Sequence, residues 1–517
     1  MAPALATRLD ALAAEFGDAP ALLSDGVCLS YRELAGRVNQ GARWALSAGV
    51  GRGTVVGLLM PGGPEYVALW LGITRVGGVV ALLNPALGSA AQLHWIDAAG
   101  ARFVITTPPD RDGFSAAPLD HPGPGLADRA LLIFTSGTTG MPKAVNLTHG
   151  RVLEWSLWFA GLMDARATDR IYNCLPLYHS VGGVVFVGSM LVAGGSVLLR
   201  ERFSVGRFWD DVADHACTIF AYIGELCRYL LAGGPPSRTH RLRLACGNGM
   251  QGPVWTAFQE RFAIPQVLEF YAATEGGLSL YNVDGRVGAI GRIPGYLAHR
   301  FPVRLLHCID GEPVRDAAGR CIVAGPDEPG EAVSRLNTAP DIYTDRAATE
   351  RKLLRDVVAP GDVWFRSGDL MRRDRAGYFY FLDRLGDTFR WKGENVAASE
   401  VQAVAGTCPG VLAAAVYGVT VPGQEGRAGM AALVVGPGFA WDTLHRRLTA
   451  ALPAYARPVF IRLCPTLEST GTFRPMKTTL RDEGWAGIDD VFTWTEAGYV
   501  KLDRGRTTAI LQGTLRI

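Results

Sequence analysis

The sequence predicts a large N-terminal α/β body of packed sheets and helices followed by a small mobile α+β C-terminal domain. Three observations predict it. Short β-branched or Leu-rich runs alternate with longer amphipathic stretches through most of the chain. The 517 residues are several times the usual domain size. Near residue 384 the character changes, from the strand-like run Gly377 to Leu382 into the polar Asp383 to Asp387.

Residues 1–20 carry Arg8, Asp10 and Glu15 inside an apolar pattern, which excludes a signal-peptide core and fits an amphipathic helix. The runs Thr54 to Met60, Glu65 to Gly72 and Val79 to Leu83 start the alternation. Pro108 to Ala130, rich in Pro, Gly and Asp, reads as a loop leading into the strand Leu131 to Phe134. Val181 to Leu199 is uncharged over about a bilayer's span. The glycine pairs at 182–183 and 194–195 equally fit a buried helix followed by a β-rich stretch. Beyond residue 384, Met430 to Val435 reads as a strand, so the expected domains are 1–384 and 385–517, joined by a polar hinge.

Charge excludes some functions. Fifty-one Lys and Arg against 49 Asp and Glu, a net +2, give no long-range reason to bind nucleic acid or an anionic membrane, so small-molecule partners are expected. The nine cysteines form no CxxC pair or regular spacing and read as reduced, mostly buried thiols of a cytoplasmic protein.

The most informative segment follows the strand Leu131 to Phe134. Thr135, Ser136, Gly137, Thr138, Thr139 and Gly140, with Lys143 close behind, combine glycines that turn N–H groups toward an anion, hydroxyl donors and a cation. The spacing is not that of the GxxxxGK[ST] phosphate loop. On composition alone the alternative is a surface turn.

The run Thr135 to Val145 resembles the signature of the superfamily of acyl-CoA synthetases, luciferases and peptide-synthetase adenylation domains, and further matching segments follow in that family's order. Tyr271, Ala272, Ala273, Thr274 and Glu275 resemble its aromatic-x-x-Thr-Glu motif, which implies a ring stacked on adenine and a glutamate that helps hold Mg²⁺. Gly247, Asn248 and Gly249 resemble the loop against the adenine. Asp369, within Ser367-Gly-Asp, resembles the aspartate on the ribose hydroxyls, and Arg384 the arginine that joins it. The segments Leu175 to Ser180, Tyr222 to Leu230, Asp383 to Val396, Tyr455 to Pro458 and Thr470 to Phe473 are similar to the fatty acid transport protein and very-long-chain acyl-CoA synthetase branch. Its eukaryotic members usually begin with a membrane anchor, which is not expected here; peripheral membrane contact stays open.

The resemblance implies an ATP-dependent, AMP-forming ligase. A carboxylate attacks the α-phosphorus of ATP, pyrophosphate leaves, and CoA, the expected acceptor, then takes the acyl group. Two anions must approach, so the site needs concentrated positive charge: Lys143 with the Thr135–Gly140 cradle on the phosphates, and Mg²⁺ on Glu275. The resemblance places Gly386 and Asp387 at the hinge, and Trp391, Lys392 and Gly393 along the acceptor tunnel. His179 is expected either in the acyl pocket or as a structural histidine, and Tyr222 to Leu230 and Gly276 to Tyr281 are expected in the pocket wall.

The sequence departs from the branch at one position. Arg474 stands where a lysine usually bridges the α-phosphate and the carboxylate. A guanidinium keeps the charge but not the compact geometry, and Lys477, beyond Pro475, is a second candidate for the role. Three readings follow: a fatty or aryl acyl-CoA synthetase; activation of a non-standard acid such as nitrite for diazotisation of an aryl amine; and a non-catalytic nucleotide and acyl carrier.

Overall fold

The computed structural model describes residues 4–135, 143–309, 311–336, 342–468 and 476–515. Ser136, Gly137, Thr138, Thr139, Gly140 and Arg474 lie outside these residues. The chain divides into two units: residues 1–297 with 335–355 and 363–365, and residues 298–334 with 356–362 and 366–517.

The first unit is the α/β body. One sheet runs in the order Gly291–Arg292, Ser279–Asn282, Gln266–Ala272, Leu244–Asn248, Ile219–Ile223, Arg170–Asn173, Ser196–Leu199, Pro20–Ser24, Val27–Ser30. From Gln266–Ala272 to Pro20–Ser24 its neighbours are parallel. A second sheet orders Phe103–Ile105, Val55–Leu58, Val79–Leu82 and Arg129–Thr135, all parallel, then adds Lys143–Thr148 antiparallel. The residues flanking the phosphate loop are thus the ends of a paired hairpin, Thr135 opposite Lys143.

Helices form where the pattern predicts them. Leu9–Phe16 is the N-terminal helix, and Pro64–Arg75, with proline in its first turn, is buried along nearly its whole length. The uncharged segment 181–199 is not one long helix. It is a π-helix over Ser180–Phe186, an α-helix over Val187–Val192 and the strand Ser196–Leu199. The π-turns depend on glycine, because a Cβ on Gly183 would stand 2.0 Å from the Leu177 carbonyl oxygen and one on Gly182 2.7 Å from that of Pro176. No helix among the described residues is long and apolar enough to cross a membrane.

The second unit is smaller and mixed. Val303–Leu306, Pro329–Arg335, the later part of Val363–Arg373 and Tyr378–Arg384 lie in one sheet. Further along, Val411–Val419, Ala428–Val435, Phe460–Leu463, Val491–Thr495 and Gly498–Lys501 form a five-stranded sheet. It shares a core with the helices Ala398–Gly406 and Trp441–Ala451. The cysteines are all free, and six of them, Cys174, Cys217, Cys227, Cys246, Cys321 and Cys408, are buried.

Candidate functional site

Glu275 is the centre from which the site in the first unit is built. It follows the strand Gln266–Ala272, and its Oε1 accepts hydrogen bonds from the Thr135 hydroxyl at 3.1 Å and the Tyr343 phenol at 2.8 Å. Among the described residues its Oε2 has no hydrogen-bond partner. Tyr343 is brought there because residues 342–344 pair with the strand Lys143–Thr148: Asn146 N–H donates to the Ile342 carbonyl and Thr344 N–H to that of Ala144. The Lys143 ammonium stands 5.8 Å from the centroid of the same tyrosine ring. Lys143, Tyr343, Glu275 and Thr135 therefore form one cluster beside the phosphate loop. Burial, joined by repulsion from Arg351, pushes the Lys143 pKa below its ordinary value. An anion arriving there would restore what burial removes.

Sequence reasoning missed Tyr343, which follows residues with no motif of their own. It also missed Arg151, whose guanidinium donates to the Glu275 carbonyl at 3.1 Å. Arg151 explains the glycine after the motif. Gly276 has φ +82°, and a Cβ there would lie 2.2 Å from the Arg151 guanidinium.

The residues present fit a divalent cation. Among the described residues no group of three or more His, Cys, Asp or Glu could hold a metal, which rules out an all-protein cage within them. One carboxylate with an open oxygen, beside a hydroxyl and a phosphate-binding loop, matches the way Mg²⁺ is usually held together with substrate phosphates.

Behind this cluster lies a small, partly open recess, walled by Trp155, Phe159, Val181, Val185, Phe270 and Tyr281. Phe159 meets Phe270 edge-on at 4.8 Å and Tyr281 at 5.8 Å. Its polar rim is Ser180, Thr274 and Ser279, with the Ser180 and Thr274 hydroxyls 3.0 Å apart. Thr274 thus joins the recess to the Glu275 cluster. Of the residues expected in the pocket wall, Ser279 and Tyr281 line this recess and Tyr222 to Leu230 do not. Tyr222 is fully buried and donates its O–H to Glu269. His179 is not among the lining residues; it packs on Tyr178, ring centroids 4.7 Å apart. Trp155 and Phe159, one helical turn apart on His149–Leu162, were legible only as an apolar i, i+4 pair.

Residues alternate faces along a strand, so Phe270 and Ala272 face the recess while Tyr271 between them points the other way. Gly247, Asn248 and Gly249 end the neighbouring parallel strand, Gly247 level with Glu269. The aromatic and the glycine loop thus belong to adjacent strand ends.

In the second unit Asp369 and Arg384 are directly opposed in an antiparallel pair, with the Arg384 Nε 3.7 Å from an Asp369 oxygen. The strand segment before Asp369 is held by a buried acid. Arg366 makes a multiple ion pair with Glu331, which is 1% exposed, and the Gly368 N–H donates to the same carboxylate at 3.2 Å. The Ser367 hydroxyl accepts from the Asp369 N–H at 3.0 Å. Gly386 and Asp387 lie in a turn whose Asp387 N–H returns to the Arg384 carbonyl at 2.9 Å. Trp391 is buried in the core of this unit, while Lys392 (φ +52°) and Gly393 (φ +83°) make a two-residue hairpin turn between Phe389–Trp391 and Glu394–Val396. Lys477 is engaged: its ammonium is 3.5 Å from Asp387, which Arg481 also approaches at 3.3 Å. Burial raises the pKa of the nearby Asp383 carboxyl, and Lys477 opposes that rise.

The AMP-binding enzyme model matches residues 9–331, and the AMP-binding enzyme C-terminal domain matches residues 400–474. The chain belongs to the AMP-binding enzyme family. This AMP-binding enzyme is an AMP-forming ligase, similar to long-chain fatty acid transport protein 1 of Mus musculus, with 39% identity over 89% of the chain and 79% of the relative. It is also similar to the medium/long-chain-fatty-acid–CoA ligase FadD6 of Mycobacterium tuberculosis, with 37% identity over 94% and 88%. Among solved structures it shares the fold of o-succinylbenzoate CoA synthetase from Bacillus subtilis in complex with its acyl-adenylate. That match has a TM-score of 0.76 and 22% identity over 92% of this chain and 98% of that one.

Proposed function

We propose that the protein activates a fatty or aryl carboxylic acid with ATP, releasing pyrophosphate, and then passes the acyl group to CoA. The observation that carries this reading is Thr274. One hydroxyl-bearing residue stands between an apolar recess suited to an acyl or aryl tail and a Lys143–Tyr343–Glu275 cluster suited to phosphates. A carboxylate whose tail fills the recess has its charged end at the cluster's edge.

Each residue has a place in this reading. Lys143 offsets the charge of the β- and γ-phosphates together with the loop Thr135 to Gly140. Tyr343 and Thr135 fix the Glu275 carboxylate by occupying Oε1. Mg²⁺, when bound, would be held by Glu275 and would neutralise phosphate charge. Tyr271 would stack on adenine against Gly247 to Gly249, and Asp369 with Arg384 would hold the ribose hydroxyls. Arg474 would supply the cation at the α-phosphate. The division into 1–384 and 385–517, with Gly386 and Asp387 as pivot, belongs to the same proposal, as does CoA as acceptor. The similarity to a fatty-acid–CoA ligase over nearly the whole chain supports the acid class.

The test is pyrophosphate release with a panel of octanoate, palmitate, benzoate and nitrite plus an aryl amine, each with and without CoA. Release that requires a carboxylic acid, followed by acyl-CoA formation, is expected. Release that requires nitrite, or none with any acid, overturns the reading. A Glu275→Ala protein with full activity overturns the site.

A further inference from the structure

Glu269 is a carboxylic acid with no cation paired to it among the described residues. It lies in the strand Gln266–Ala272, two residues before Tyr271, and is 1% exposed. Its Oε1 accepts the N–H groups of Gly249 and Met250, the latter at 3.2 Å, and its Oε2 accepts the Tyr222 O–H. The titratable groups that face it are Tyr222, Cys227 and Cys246, all buried and all acidic types. Burying an acid in such surroundings is costly, and only the donors it engages offset that cost. Burial raises its pKa to about 8 despite three donors that oppose the rise.

Glu269 and its partners span three successive strands, with Gly249 and Met250 just beyond the end of the middle one. Tyr222 belongs to Ile219–Ile223, Gly247 to Asn248 end the next strand, and Glu269 stands level with Gly247 on the third. Gly247 leaves no room for a side chain, since a Cβ there would lie 2.0 Å from the Tyr222 carbonyl oxygen. Gly249 (φ +81°) is held flush from the other side, where a Cβ on Gly224 would lie 1.9 Å from its carbonyl oxygen. The loop's height above the strand that carries Tyr271 is therefore set by the Glu269 carboxyl from below and by Gly224 beside it.

We propose that Glu269 is a positioning residue for nucleotide recognition, tying the loop Gly247 to Gly249 to the strand of Tyr271 and so fixing the width of the slot for a purine ring. The proposal rests on the reading of Tyr271 and the glycine loop as adenine contacts. Glutamine at this position keeps an acceptor for the two N–H groups and is neutral; leucine keeps the shape and removes every acceptor.

Calorimetric binding of ATP and of GTP to the full chain tests it, with Glu269→Leu, Glu269→Gln, Tyr222→Phe and Tyr271→Ala compared. Glu269→Leu leaves two buried N–H groups unpaired and is expected to weaken ATP about tenfold or more while narrowing the preference over GTP. Glu269→Gln is expected to stay within about twofold of the natural protein and Tyr222→Phe to fall between them. Unchanged ATP affinity in Glu269→Leu, or equal losses for ATP and GTP, overturns the proposal. Should Glu269→Leu not fold, Tyr222→Phe with unchanged ATP affinity and preference overturns it. If Tyr271→Ala leaves the ATP preference intact, the adenine assignment itself fails and the proposal with it. If Tyr271→Ala relaxes that preference and Glu269→Leu does not, only the role of Glu269 fails.

Discussion

Tyr343 joins an anion to a cation through one ring: its hydroxyl donates to Glu275 at 2.8 Å and its face lies 5.8 Å from the Lys143 ammonium. Tyr343→Phe keeps the ring and removes the donor, so Glu275 retains only Thr135 on Oε1. A net hydrogen bond of this kind is worth about 1 kcal/mol, roughly fivefold, and more when a charged group is involved. Pyrophosphate release by Tyr343→Phe should therefore fall several-fold with unchanged thermal stability, whereas Lys143→Ala should fall further. Glu269 gives a stability signal of a different kind. Its folded-state pKa, about 8, lies above the ordinary 4.5, so the folded protein holds this proton more tightly than the unfolded chain. The contribution is complete below the unfolded value, declines as pH rises, and is gone above the folded value. Tyr222, Cys227 and Cys246 are held above their own ordinary values and stay neutral across that window. Denaturant unfolding between about pH 5 and pH 8.5 should show stability falling with pH, and Glu269→Gln should lose that part of the slope.

Strand ends carry most of the site, and they show what the sequence could and could not reveal. Thr135 and Lys143 were legible because they frame a glycine- and hydroxyl-rich segment after the apolar run Leu131 to Phe134, whereas Gly247 and Tyr271 were legible through the resemblance of their motifs to the family's. Glu331 was not legible as a site residue, because its role depends on Arg366 and Gly368 on a strand about 35 positions away. Yet the signal existed: like Glu269, it is an acid inside an otherwise buried strand, Pro329–Arg335. Such a residue must find donors, and here they are the Arg366 guanidinium and the N–H that precedes Asp369. Glu331→Gln leaves Arg366 without its buried counter-charge, which typically costs about 3–5 kcal/mol. Thermal unfolding should drop accordingly, and in any folded fraction ATP should bind more weakly while the apolar recess, built from other strands, keeps its affinity for an acid. Gly276→Ala is the matching experiment on the first unit. The strained φ of +82° and the 2.2 Å approach to Arg151 predict loss of pyrophosphate release, read beside the melting temperature.

Across the whole molecule, the alternation of strand and helix and the order of the motifs were readable, but the partners of each charge were not. Lys477 shows the difference. By spacing it is a second candidate for the cation at the α-phosphate; in the structure its ammonium pairs with Asp387 and opposes the raised pKa of the buried Asp383. A lysine so engaged can be removed only by leaving two acids less compensated, with Arg481 still at Asp387. Arg474 carries no such obligation in the chemistry inferred for it, since an α-phosphate and a carboxylate both suit a guanidinium. The two roles separate when the half-reactions are assayed apart. Arg474→Ala should lower acid-dependent pyrophosphate release about tenfold or more and Arg474→Lys should restore it, because the charge matters more than the fork at a single phosphate oxygen. Lys477→Ala should leave that release within about threefold and instead lower the melting temperature, most visibly at neutral pH, where Asp383 and Asp387 are left to repel each other. A Lys477→Ala protein that melts normally but cannot form the adenylate would reverse the assignment and make Lys477 the reacting cation.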